Sequence, residues 1–180
     1  MKTKLFILLG AVLFMMACAD SNAVRSAKGA YRYKTTGKVT LQMGQLISDT
    51  LVANLDNESG TLEVVSLHDG DSLLLTIDQL NGDVIATRGK MEGSRLHFNS
   101  YNRTLDVPLD VTYYDTIHLI LTDTVIARQR HEYETYDITV RGYADLYDNN
   151  LVFNLEYTGK SQSTERTLRG KGIRSLAKKN

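Results

Sequence analysis

The chain has 180 residues, 21 basic and 21 acidic side chains, one cysteine, one proline and no tryptophan. That length fits one domain with a core of its own. The even charge balance leaves no electrostatic footprint for nucleic acid, and a lone cysteine excludes an internal disulfide framework.

The first element is a leader. Lys2 and Lys4 introduce an apolar run from Leu5 to Met16. At about a dozen residues it falls well short of the roughly 20 that span a bilayer as a helix, so it reads as a secretory signal. Its end, Met15-Met16-Ala17-Cys18, resembles a bacterial lipobox. That resemblance implies removal of residues 1–17, a diacylglyceryl thioether on Cys18 and a third acyl chain on its amine. The membrane, held through lipidated Cys18, is then the first expected partner. Ala19 rather than Asp follows Cys18, which under the sorting rule of some bacteria implies transport to the outer membrane of the cell envelope. Two other outcomes stay open: cleavage at the small-x-small pattern Ala17-Cys18-Ala19, which frees the chain, and an uncleaved anchor. Loss of the leader leaves Phe98 and Phe153 as the only phenylalanines and tilts the remaining charge slightly acidic.

Residues 18–30 are small, polar and without periodicity, and read as a lipidated cysteine followed by a flexible tether reaching at most roughly 40 Å. A single β-domain is expected over residues 31–176, with a basic tail at 177–180. Its period is two. Leu73, Leu75 and Ile77 alternate with Leu74, Thr76 and Asp78; Leu96 and Phe98 alternate with His97 and Asn99. Ile117, Leu119 and Leu121 are flanked by apolar Ile120 as well, which predicts a central strand. From Tyr136 to Tyr147 the even positions are mostly apolar, with Gly142 predicting a bend. Leu151, Phe153, Leu155 and Tyr157 face one way and Val152, Asn154, Glu156 and Thr158 the other, the pattern of a half-buried strand. Between these runs lie turn signals: Asp56 to Gly60, Asp69-Gly70, Asn81-Gly82, Glu92-Gly93-Ser94 and Asp148-Asn149-Asn150. Short loops between neighbouring strands give an all-β antiparallel meander, closed as a barrel or stacked as a β-sandwich. The segments Ile85–Asn99 and Ile138–Asn154 echo each other as strand, glycine, turn and strand, which two hairpins of one design explain.

With its lipobox, short leader-to-domain segment and glycine-marked hairpins, the chain resembles the calycin-like lipoprotein domains of gut bacteria. The resemblance covers Tyr31 to about Leu176 and implies a barrel with a ligand site. Where lipocalins proper carry Gly-x-Trp, this chain has Gly37-Lys38-Val39.

Chemistry-bearing motifs are sparse. His131-Glu132-Tyr133-Glu134 splits across two strand faces, so no metal is expected there. The acidic loops lack the six to eight oxygens that calcium takes, and their Asp, Asn and Gly are turn formers. Gly-x-Ser-x-Gly and Ser-x-x-Lys are missing. No enzyme activity, cofactor or metal is expected. Tyr143 and Tyr147 share a strand face with Arg141 and Asp145, a surface suited to a sugar or a protein. Tyr136 and Phe153, with Leu151, are expected to point into a barrel and line its cavity. Arg166, Arg169, Lys171, Arg174, Lys178 and Lys179 read as a solvated basic tail. The expected function is a membrane-tethered binding module for a small apolar or glycan ligand; the alternative is an envelope lipoprotein that contacts other proteins and has no ligand pocket.

Overall fold

A computed structural model describes residues 20–43, 50–55, 58–79, 84–118, 123–148 and 150–178. Residues 1–19, with Cys18 among them, Asn81-Gly82 and residues 119–122 lie outside the described residues.

Among the described residues one short helix, α1 (Asn22–Ala27), precedes ten strands: β1 (Gly29–Met43), β2 (Thr50–Asn54), β3 (Glu58–Ser66), β4 (Ser72–Gln79), β5 (Val84–Glu92), β6 (Arg95–Phe98), β7 (Tyr101–His118), β8 (Asp123–Tyr147), β9 (Asn150–Ser161) and β10 (Arg166–Lys178). Every pairing is antiparallel. The sheet closes where β10 meets β1, from Tyr31 opposite Lys178 to Met43 opposite Arg166. The fold is thus the closed barrel of the two expected arrangements.

Ten segments make eight staves. Since β10 occupies one edge of β1 along its length, β2 and β3 must share the other, as they do at Lys38–Gln42 and Gly29–Thr35. Likewise β9 holds one edge of β8, while β6 and β7 follow one another along the opposite edge. β6 ends at Phe98 and β7 begins at Tyr101, so this stave is made of two strands laid end to end. Beyond Tyr136, where pairing with β9 stops, β7 and β8 run on as a two-stranded ribbon. The expectation of a central strand at Ile117–Leu121 is therefore corrected: β7 reaches His118 with only β8 laddered against it among the described residues. Ile120, whose apolar character prompted it, lies outside the described residues.

Alternation decides what fills the barrel. Tyr31, Tyr33, Leu62, Leu75, Leu96, Ile138, Val140, Phe153 and Leu168 all point inward and are buried. Phe98 packs on Phe153 with ring centroids 5.7 Å apart. At Gly142, where a bend was expected, the β8–β9 register runs on without a break. The Gly142 φ is +151°, and a Cβ there would stand 2.0 Å from the Asn154 carbonyl oxygen.

Two segment assignments change. The tether expected up to residue 30 folds from Asp20 onward. The Ser21 side chain accepts a hydrogen bond from the Val24 N–H and caps α1. Val24 and Ala27 are fully buried, and the Tyr31 hydroxyl donates to the Ala27 carbonyl at 2.8 Å. A six-residue helix has no stability of its own; docking on the barrel end supplies it. The solvated basic tail is β10, the stave that closes the barrel on β1, whose even positions turn inward, so Arg174 is buried and of this stretch only Lys179-Asn180 fall outside the described residues.

Candidate functional site

The outer wall carries a groove of about 660 Å³ across β6, β8, β9, β10 and β1. Strand register explains it. One row of outward side chains runs His97–Tyr143–Asn154–Ile173–Thr36, each opposite the next on a neighbouring strand. A second row runs Arg141–Glu156–Lys171–Lys38. Between them lies Gly142–Leu155–Gly172–Gly37, in the inward register. Three glycines in that row remove the inward Cβ atoms, and the strands coil so sharply that a Cβ at Gly37 would meet the Lys171 carbonyl oxygen at 2.2 Å. The wall is pinched along the glycine row, and its outer surface is hollow there.

The groove is more apolar than polar. Ile173 supplies aliphatic surface, and Tyr143 an aromatic ring. The Arg95 guanidinium carbon stands 4.1 Å from the Tyr143 ring centroid, and Arg95 is itself held by Asp145 at 2.7 and 3.3 Å. That pair holds the tyrosine ring by one face. His97, Asn154, Glu156 and Lys171 present donors and acceptors along the rims. Tyr147, four residues along the same face, lies outside this groove at the strand end and is 61% exposed. Tyr136 and Phe153 are on the other side of the wall, buried in the barrel. The four aromatic positions singled out from sequence thus divide among groove, rim and core.

The core holds an ionic cluster that the sequence reading missed. Glu58 accepts hydrogen bonds from Arg174 Nη2 and, at 3.1 Å, from the Tyr157 hydroxyl. Arg174 Nε donates to Thr35 Oγ1 at 3.0 Å, and the guanidinium stacks 4.1 Å from the Tyr33 ring centroid. Burial works against the Arg174 cation, but the facing phenols and Glu58 outweigh it and hold its pKa above the ordinary range. Burial also pushes the Tyr33 phenol up to about 12. Arg103 Nη2 lies 2.8 Å from Glu58 Oε1, an ion pair by distance. Its N–H is not aimed at that oxygen, and Arg103 Nη2 and Nε and the hydroxyls of Tyr33 and Tyr101 find no hydrogen-bond partner among the described residues. Buried water serves such groups in protein interiors. The signal was present: Arg174 follows Leu168, Gly170 and Gly172 in one register, and Arg103 lies between Tyr101 and Leu105. A charge on the inward face of an alternating strand has to be partnered.

A second carboxylate is equally well held. Glu134 accepts from Tyr136 at 2.7 Å, Ser161 at 2.6 Å, Arg166 at 2.9 Å, and Thr164. Burial alone would raise its pKa, but these donors prevail and hold it at about 2. A depressed carboxylate stabilises the fold fully above its unfolded value near 4.5 and ceases to do so as pH falls toward 2. Glu134→Gln should therefore cost about 3 kcal/mol at pH 7 and almost nothing near pH 2. Urea unfolding at the two pH values measures this; an equal cost at both would refute it.

Among the described residues no three His, Cys, Asp or Glu side chains gather as a metal set. His131 turns outward beside Asp110, whereas Glu134 turns inward. Comparison of the chain with family models, curated proteins and solved structures finds no match.

Proposed function

We propose that the protein is a lipoprotein of the bacterial envelope, anchored through Cys18, whose barrel binds a small glycan in the outer-wall groove without catalysing a reaction on it. The observation that carries this is the groove itself. Its volume of about 660 Å³ lies within the roughly 300–1,000 Å³ of small-ligand sites. A ring fixed in place by Arg95 offers a flat apolar surface to the C–H face of a sugar, and His97, Asn154 and Glu156 stand around it to meet hydroxyls. The lipobox and Ala19 support an outer-membrane address.

The test is NMR titration of a panel of neutral oligosaccharides, with Tyr143→Ala as the variant. The variant should bind about tenfold more weakly, a loss of about 1.4 kcal/mol, with an unchanged fold because Tyr143 lies on the outer wall. Ligand shifts that ignore Tyr143 and map to residues outside the groove would overturn the reading.

A second reading, contact with another envelope protein, is favoured by the β7–β8 ribbon. Tyr114, Val125 and Tyr133 share its outer face, at 73%, 61% and 72% exposure. Photo-crosslinking from position 114 should then capture one discrete partner in envelope preparations.

A further inference from the structure

The described fold begins two residues after Cys18, and its first residue is fastened down. The Asp20 carboxylate accepts from Ser66 Oγ and from Lys28 Nζ at 2.9 Å, with His68 Nδ1 at 3.8 Å. The Ser21 N–H donates to the Gly70 carbonyl at 3.0 Å. Asp20 and Ser21 are therefore clamped to the turn that joins β3 to β4. The register places α1, this turn, the β5–β6 turn, the β8–β9 turn and the end of β10 at one end of the barrel.

Covalent geometry then fixes an orientation. Two residue steps of about 3.8 Å give a leash of roughly 8 Å between Cys18 and Asp20. The headgroup layer on each side of a bilayer is about 5–8 Å thick. We propose that the α1 end of the barrel rests on the membrane that holds Cys18, with Leu67 and Tyr147 seated in the headgroup layer and the β7–β8 ribbon pointing away. This rests on the lipoprotein reading given above. A long tether would leave orientation free; a leash no longer than the headgroups are deep does not.

The surface at that end suits the location. Leu67, in the β3–β4 turn, and Tyr147, at the end of β8, are 36% and 61% exposed. A tyrosine with an apolar body and a polar tip is at home at the membrane interface. Arg25 and Lys178 are exposed there, and so are Asp69 and Asp148. With both signs present, the leash and the two apolar side chains do the seating, so zwitterionic lipid suffices.

The absence of tryptophan provides the experiment. The full chain, expressed with its leader in a bacterial host and purified from membranes, is reconstituted into phosphatidylcholine vesicles containing brominated chains. Single tryptophans are introduced as Leu67→Trp, Tyr147→Trp and Tyr114→Trp, and intact mass of the same samples reads acylation of Cys18. The expected result is acylated protein, strong bromine quenching at positions 67 and 147, and little at 114. Two probes at the seated end guard against one of them perturbing its own turn. Acylated protein with equal quenching at all three positions, or none, overturns the orientation and leaves the lipoprotein reading intact. Protein without acyl chains overturns the lipoprotein reading, and the orientation falls with it.

Discussion

Gly142→Ala should abolish the folded barrel, or destabilise it by more than about 4 kcal/mol, the range reserved for severe backbone and packing conflicts. Two independent costs coincide there. The φ of +151° is one that side chains rarely adopt, and the added Cβ would lie 2.0 Å from the Asn154 carbonyl oxygen. That oxygen belongs to the β9 backbone, which cannot rotate away as a side chain would. Other glycines separate the two costs. Gly93 has a positive φ of +64° but nothing within 4 Å of its added Cβ, so Gly93→Ala should cost only about 1 kcal/mol. Gly37 has no positive φ but is blocked by the Lys171 carbonyl at 2.2 Å, so its substitution reports close approach alone. Circular dichroism and urea unfolding of the three variants should give the order Gly93, Gly37, Gly142 from mild to severe. A mild effect at Gly142 would mean that β8 and β9 can separate there, and the pinched wall would lose its explanation.

Glu58→Gln should destabilise by roughly 3–5 kcal/mol, the usual consequence of removing one partner from a buried ion pair. Glutamine keeps the shape and an acceptor for Tyr157, so the loss is almost purely electrostatic. Arg174 and Arg103, whose side chains are 1% and 4% exposed, would remain as two cations without a counter-charge among the described residues. Against a total stability of about 5–15 kcal/mol that is a large fraction. Replacing all three with apolar residues, as Glu58→Leu, Arg103→Met and Arg174→Met together, should restore most of the loss, since no charge is left to desolvate. Urea midpoints of the single and triple variants decide it. A cost below about 1 kcal/mol for Glu58→Gln would show that water reaches the cluster and carries the charge.

The barrel was legible because alternation is a local property. Leu151 to Thr158 declares two faces whatever its neighbours do, and the turns at Asp69-Gly70 and Glu92-Gly93-Ser94 tie such strands into neighbouring pairs. What escaped is non-local. Nothing in residues 50–66 says that β2 and β3 lie end to end along one edge of β1. The helix α1 carries no run long enough to show a period, and its stability comes from burying Val24 and Ala27. Arg174 was grouped with Arg169 and Lys171 by composition, although its register separates it from both. Of the candidate site, the outward direction of Tyr143 could be read from the chain. The hollow beside it could not, because it depends on Gly37, Gly142 and Gly172 arriving in one row from three strands.

The seam between β1 and β10 also sets the order of events when the chain is made. The barrel cannot close until its final strand emerges, and Glu58 waits for a guanidinium 116 residues downstream. Until then the nascent sheet has two open edges and a carboxylate on its inner face without Arg174. Contacts so distant in sequence make folding slow and leave incomplete chains prone to aggregation. The Glu58–Arg174 pair therefore forms only once β10 is made, and chains truncated before β10 should be ready substrates for chaperones and proteases.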